Sequence, residues 1–106
     1  MKPARLRPAA KEDLGHQAVH YATVAGAGLA DEFVDAALAA LETIRQQPGI
    51  GSPSWNPPGQ SPELRAWRLG RFPAVWFYFD LPDHIDVVRL LGEREDIAAI
   101  LGAASD

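Results

Sequence analysis

The sequence contains no cysteine. A chain without thiols has no disulfide framework, no thiolate zinc site and no cysteine nucleophile, and this composition suits a reducing compartment. No apolar run approaches the roughly 20 residues that a membrane helix needs, and the N-terminal stretch MKPARLRPAAKEDL has no apolar core of a secretory signal. We therefore expect a soluble, cytoplasmic protein that does not contact a membrane. Its 106 residues predict a single domain spanning 1–106, since domains commonly hold about 100–200 residues.

Positive charge is also scarce. Ten lysines and arginines stand against 14 acids, which gives a net charge of −4. Proteins that bind nucleic acid directly usually carry a surplus of cations that neutralise phosphates. The balance therefore predicts only indirect involvement of nucleic acid. The charge is uneven, however: residues 64–79 contain three arginines and no acid, whereas residues 80–106 contain seven acids and two arginines.

Side chains for metal binding or nucleophilic catalysis do not form recognisable patterns. His16 and His20 have the i, i+4 spacing that can place two imidazoles on one ion, but no third ligand follows them, and an exposed polar helix face is the better interpretation. His84 is expected in an exposed turn. The serines lie in the loop and the tail, outside any strand–turn–helix elbow, and the glycines form no phosphate loop. We predict no metal, no cofactor and no catalytic residue.

Hydrophobic periodicity predicts two helices near the N-terminus. A short strand is expected within Lys2–Arg7, after which Pro8 suits the first turn of a helix. Apolar residues then recur at helical spacing, and Gly26 and Gly28 are expected to end this helix. A second apolar face predicts a helix that ends at Pro48-Gly49. The members of the two faces are Leu14, Ala18, Tyr21, Ala22 and Ala25, and Leu29, Phe33, Val34, Ala37, Leu38, Leu41 and Ile44.

The remainder of the chain predicts a loop, three strands and a short helix. Five prolines and three glycines make residues 48–62 a surface loop, which Trp55 is expected to pin to the core. Aromatic and β-branched residues predict strands at Leu64–Leu69, Phe72–Phe79 and Ile85–Leu91, and residues 96–101 predict a helix. The expected fold is α+β with the order β-α-α-β-β-β-α, in which an antiparallel helical hairpin packs on a small antiparallel sheet.

Five arginines in the C-terminal half are the candidate binding residues. Two interpretations stay open: solvated sheet edges with one structural ion pair, or a concave surface of guanidinium groups that engages an anionic partner. Arg89 lies in an apolar run and therefore needs a neighbouring carboxylate or a partner. Asp96 stands where a carboxylate caps the terminal helix or pairs with Arg89. The five candidates are Arg65, Arg68, Arg71, Arg89 and Arg94.

The ordered set of motifs resembles the ParE branch of the RelE/ParE toxin superfamily of bacterial type II toxin–antitoxin modules. The resemblance covers essentially the whole chain: LRPAAKEDL, YATVAGAGLADEFVDAALAALETI, PGIGSP, ELRAWRLGRFPAVWFYF and HIDVVRLLGEREDIAAIL. Arg89 and Asp96 match the C-terminal pattern of the family, whereas Gly92 stands where histidine is typical. The resemblance implies the same fold that periodicity predicts, a helical hairpin on a small antiparallel sheet.

The resemblance implies a toxin that binds and poisons DNA gyrase and is neutralised by a ParD-like antitoxin in a hetero-oligomer. The main alternative is a RelE-like ribosome-dependent mRNA endonuclease, which needs proton-transfer groups around one phosphate; the chain has no lysine after Lys11. A non-toxic antitoxin-binding module is the third possibility. The antitoxin is expected beside the helical hairpin and at the sheet edge, with Arg65 and Arg68 contacting its acids and with Phe33, Val34 and Trp67 mostly in the core.

Overall fold

The computed structural model describes residues 1–53, Gly59 and residues 61–104; the expectation for Trp55 lies outside them. The described elements follow the predicted order, so the α+β fold is confirmed. They are β1 (Ala4–Leu6), α1 (Pro8–Ala25), α2 (Ala27–Gln46), a 3₁₀ turn (Pro48–Ile50), β2 (Leu64–Arg68), β3 (Ala74–Asp80), β4 (Ile85–Gly92) and α3 (Ile97–Ala104).

The two long helices form a hairpin around a single glycine. Pro8 begins α1, where the missing N–H is harmless because no carbonyl precedes it in the helix. Gly26 has a φ of 94°, a conformation that glycine adopts without a Cβ clash, and this lets the chain reverse at once into α2. The expectation that Gly28 helps to end the first helix is wrong, because Gly28 already lies inside α2. Leu38 also leaves the predicted apolar face, since it is 51% exposed.

The sheet is four-stranded with the order β1-β4-β3-β2. The three C-terminal strands pair antiparallel, as their short connections predict. The N-terminal strand adds beside β4 in parallel, with Ala4 opposite Ile85 and Leu6 opposite Val87. Asp86 accepts two hydrogen bonds from the Arg7 guanidinium, at 3.0 and 2.8 Å, and so ties the end of β1 to β4.

The helical hairpin covers one face of this sheet, and the core lies between them. Trp76 and Tyr78 of β3 and Phe33 of α2 are fully buried. The indole N–H of Trp76 donates to the carbonyl of Ala37 at 3.0 Å, so the largest core side chain carries no unsatisfied polar atom. Trp67 packs against this core while half-buried, as does Val34.

Among the described residues, the second half of β4 has no strand partner on its outer side, because β1 is only three residues long. Side chains of α1 occupy that edge instead. The Asp13 carboxylate accepts the N–H of Leu90 at 3.0 Å, and the Gln17 amide donates to the carbonyl of Leu90 at 2.9 Å. These bonds satisfy backbone groups that would otherwise form an exposed sheet edge. Among the described helices, none is long and apolar enough to cross a membrane.

Candidate functional site

The Arg65 guanidinium holds the chain segment that follows α2. It donates to the carbonyl of Gly51 at 2.7 Å and to that of Gly49 at 3.2 Å, and its side chain is only 25% exposed. The Tyr78 hydroxyl lies in the same segment, where it accepts the N–H of Gly51 and donates to the carbonyl of Pro48. The Nη2 of Arg65 donates to a carboxylate oxygen of Glu63 at 3.3 Å. The structure therefore gives Arg65 an intramolecular role, because groups of its own chain accept from both Nη atoms.

Burial raises the pKa of the Tyr78 hydroxyl above its ordinary value, since the phenolate would be removed from water. The N–H of Gly51 and the charge of Arg65 oppose this shift without cancelling it. The hydroxyl thus stays protonated near neutral pH. It serves as a structural bridge between β3 and residues 48–51.

Arg68 and Arg71 lie at the turn between β2 and β3 and are the more exposed candidates. Arg68 pairs with Glu93, and both side chains are nearly half exposed. Arg71 lies 3.1 Å from a carboxylate oxygen of Glu32, and its guanidinium carbon is 5.0 Å from the centre of the Phe72 ring. Exposed ion pairs of this kind contribute little to stability, so an anionic partner can replace the internal carboxylate at small cost.

Arg89 forms the most buried ion pair of the five arginines. Its Nε and Nη2 donate to the two oxygens of Asp13 at 2.7 and 2.8 Å, and the two side chains are 24% and 12% exposed. These hydrogen bonds raise the pKa of Arg89 above its already high ordinary value. The geometry favours the structural interpretation of Arg89 over a contact with a partner, because Asp13 already takes both donor groups of its fork.

Arg94 and Asp96 follow β4. Arg94 is exposed and makes no ion pair among the described residues. Asp96 precedes α3, and its Oδ1 accepts the N–H of Ala99 at 3.3 Å, which is the position of a helix cap. Asp96 does not pair with Arg89, whose carboxylate partner is Asp13.

The five arginines therefore do not converge. Their guanidinium groups contact the carbonyls of Gly49 and Gly51, the carboxylates of Glu63, Glu93, Glu32 and Asp13, or solvent. His16 and His20 are exposed on α1. The described residues include no group of three or more side chains suited to a metal ion. His84 lies in the turn between β3 and β4, as expected, but the expectation that it is exposed is wrong. It is half-buried, and its Nδ1 lies 2.7 Å from a carboxylate oxygen of Asp83.

Two apolar grooves border α2, one on each side. The hairpin groove, between α1 and α2, has a volume of about 300 Å³. Val19 on its rim is 65% exposed. The edge groove, between α2 and the end of β2, has a volume of about 440 Å³. The hairpin groove is lined by Ala18, Val19, Ala22, Ala27, Ala30, Asp31 and Val34, and the edge groove by Ala36, Ala39, Ala40, Thr43, Trp67, Arg68, Leu69 and Gly70.

The sequence gives only a weak indication of where the edge groove lies. Small side chains at Ala36, Ala39, Ala40 and Thr43 fall on one flank of α2, at spacings that share a helix face. Such a flank indicates where a neighbouring backbone can approach. Only the tertiary structure shows that this flank lies beside the end of β2, an outer strand of the sheet, and not against another helix.

Comparison with known proteins agrees with this architecture. A solved structure described as the chromosomal ParDE TA system from P. aeruginosa matches with a TM-score of 0.70, over 87% of this chain and 96% of that chain. The two sequences are 21% identical, so this likeness shows the fold. Comparison with curated protein sequences gives no match. The family model of the ParE toxin of type II toxin–antitoxin systems, parDE, matches residues 4–97, and the chain therefore belongs to the ParE toxin family.

Proposed function

We propose that this ParE toxin acts in the cytoplasm by binding DNA gyrase and trapping its cleaved-DNA complex. The family match over residues 4–97 is the observation that carries the proposal. Such inhibition needs a contact surface and no proton-transfer chemistry. Arg71 and Arg94, both exposed near one end of the sheet, are the cations best placed for that contact.

The arrangement of the arginines favours binding over RNA cleavage. Metal-independent cleavage of RNA needs cations and an acid–base pair around one phosphate. Here Arg65, Arg68 and Arg89 contact three separate parts of the chain, and their side-chain partners are carboxylates. The hydroxyl of Tyr78, near Arg65, is buried against Gly51 and Pro48. A nuclease site therefore gains no support from this geometry.

Induced expression of the chain alone in a bacterium tests the proposal, with plasmid DNA and total mRNA examined together. We expect growth arrest with linearised DNA and intact mRNA. Early loss of mRNA without DNA damage would replace the proposal with the nuclease alternative. Growth with neither effect would favour a non-toxic binding module.

A purified-gyrase cleavage assay locates the contact. Arg71→Glu and Arg94→Glu should each reduce trapping of cleaved DNA. Arg5→Glu is the matched control, because Arg5 is also exposed but lies opposite Asp86 at the start of β4, whereas Arg71 and Arg94 lie near the other end of the sheet. An equal effect of all three variants would show that the assay reports net charge and not a specific surface.

We further propose that a ParD-like antitoxin neutralises the toxin and places an amphipathic helix in the hairpin groove. An apolar groove between two helices, with exposed Val19 and Leu38 beside it, suits helix-in-groove recognition. Val19→Glu should weaken binding of the co-encoded antitoxin, measured by calorimetry. Val24→Glu on the same helix serves as the matched control, because Val24 is also exposed, at 64%, and does not line the hairpin groove. Equal affinities of the two variants would move the helix elsewhere.

A further inference from the structure

Two histidines lie one turn apart on the solvent side of α1. His16 and His20 are both exposed, and their spacing places the two Cβ atoms about 5–6 Å apart on one helix face. Among the described residues, no hydrogen bond or ion pair occupies a ring nitrogen of either side chain. His84 differs, because its Nδ1 lies 2.7 Å from a carboxylate oxygen of Asp83. The two imidazoles of α1 are therefore available to bind one ligand together.

The ring of His20 lies against a neighbour that the core holds in place. The centres of the His20 and Tyr21 rings are 5.7 Å apart, in an edge-to-face contact. Tyr21 in turn contacts the rings of Phe33 and Phe72, at 4.9 and 5.4 Å between centres. These contacts limit the orientations of the His20 ring, so that less conformational freedom is lost when a ligand binds.

Paired imidazoles at this spacing are ligands for late first-row divalent cations. Among these cations, Zn²⁺ prefers four ligands in a tetrahedron, and His16 and His20 supply two of them. Within the described part of the chain, no group of three or more His, Asp or Glu side chains can hold a metal ion, so the remaining ligands do not come from the same copy. A second copy offers the same two imidazoles, and a two-fold axis through the ion completes the tetrahedron.

The surface beside the histidines suits a second copy of the chain. Val19 follows His16 by three residues, shares its side of α1 and is 65% exposed. It stands at the rim of the hairpin groove, where small side chains such as those of Ala18 and Ala22 leave a volume of about 300 Å³. One surface thus carries both an apolar projection and an apolar recess, as a contact between two identical surfaces requires.

The charge of the chain explains why two copies need a cation between them. Each copy has a net charge of −4, and like charges oppose association. Glu12, one turn before His16, and Asp31, at the hairpin groove, are both exposed on this side of the molecule. A divalent cation bound at the contact lowers the repulsion between them.

We infer that His16 and His20 of two copies bind one Zn²⁺ and thereby join two toxin chains through their first helices. Four imidazole nitrogens hold the ion, and Val19 of each copy packs into the hairpin groove of the other. The zinc-bridged pair covers the hairpin groove. It therefore excludes the antitoxin helix proposed for the same groove.

Sedimentation of the purified toxin in neutral buffer, with Zn²⁺, with Mg²⁺ or with a chelator, tests the inference. With one Zn²⁺ per two chains we expect the mass to double from 11.5 kDa, and the chelator should reverse this change. Mg²⁺ prefers oxygen ligands and should leave the chain monomeric. A monomer at saturating Zn²⁺, or a dimer that survives the chelator, would overturn the inference. The experiment uses neither gyrase nor antitoxin, so its failure would leave both earlier proposals standing.

Three histidine variants locate the ion. His16→Ala and His20→Ala each remove two of the four imidazoles from the pair of copies, and both positions are exposed, so the fold should persist. We expect the Zn²⁺ concentration at half-dimerisation to rise more than about 100-fold, since loss of an outer partner of a ligand already weakens metal binding about 10–100-fold. His84→Ala is the matched control and should dimerise like the wild type. Equal responses of the three variants would show that Zn²⁺ acts elsewhere and would refute the site.

Discussion

Replacing Asp13 with alanine should destabilise the fold more than the loss of any exposed ion pair. The substitution removes the carboxylate that accepts two hydrogen bonds from Arg89 and one from the N–H of Leu90. It leaves a guanidinium of which only 24% of the side-chain surface is exposed, and it uncovers the edge of β4 beyond β1. Both losses act on the contact between α1 and the sheet.

The magnitude follows from the burial of the pair. Breaking a fully buried ion pair costs about 3–5 kcal/mol, whereas exposed pairs contribute about 0.2–1 kcal/mol. Asp13 is 12% exposed and Arg89 is 24% exposed, so the pair lies between these limits but nearer the buried one. We expect a loss of about 2–3 kcal/mol in the free energy of unfolding. In domains of 60–100 residues each kcal/mol lowers Tm by about 4–8 °C.

Urea unfolding followed by far-ultraviolet circular dichroism measures this loss. Glu32→Ala is the matched control, because Glu32 occupies the same position along α2 as Asp13 does along α1 but pairs with Arg71 in solvent. It should cost less than about 1 kcal/mol. Adding Arg89→Met to Asp13→Ala should restore part of the stability, since the unpaired charge is then gone. Equal losses for Asp13→Ala and Glu32→Ala would refute the structural role given to this pair.

Three further substitutions test the segment that follows α2. Arg65→Ala should cost about 1–2 kcal/mol by urea unfolding, because the carbonyls of residues 49 and 51 lose their donor; Arg68→Ala, the exposed control, should cost less than about 1 kcal/mol. Gly51→Ala should destabilise by about 1–3 kcal/mol in thermal melts, because the new Cβ would lie 2.6 Å from the Tyr78 hydroxyl. Tyr78→Phe should lower stability at neutral pH. Burial raises the pKa of the Tyr78 hydroxyl in the folded state. The stability that the hydroxyl contributes is therefore complete below the unfolded pKa of about 10 and is lost as pH rises through the folded pKa. A stability difference between wild type and Tyr78→Phe that does not change with pH would contradict this.

Local sequence features predicted the secondary structure closely. The apolar stripe of α2, the proline at the start of α1 and the aromatic strand around Trp76 each depend on residues near in sequence, so periodicity and turn chemistry identify them. The fold class and the family resemblance followed from the same features, and both are confirmed. Errors arose where local rules compete. Glycine commonly ends helices, so Gly28 was expected to help end α1, but the chain already reverses direction at Gly26.

The arginines show what local patterns do not reveal. The sequence placed Arg89 in an apolar run, where it needs either a carboxylate or a partner. The structure supplies the carboxylate of Asp13, which lies 76 residues earlier, so spacing alone could not identify it. An arginine on an edge strand is expected to be exposed, yet the Arg65 guanidinium donates hydrogen bonds to the carbonyls of residues 49 and 51. Such pairings depend on which elements the core brings together, and no local rule contains that information.

The sequence by itself determined a cysteine-free α+β domain with a helical hairpin, three consecutive strands and a resemblance to ParE toxins. The tertiary structure alone decided that β1 pairs in parallel with β4 and that Asp13 and Gln17 of α1 complete the β4 edge. It also decided that the outward N–H and carbonyl of Arg68 have no hydrogen-bond partner among residues 1–53, 59 and 61–104. Helices and turns form from neighbouring residues, whereas sheet edges and grooves form only when distant segments pack.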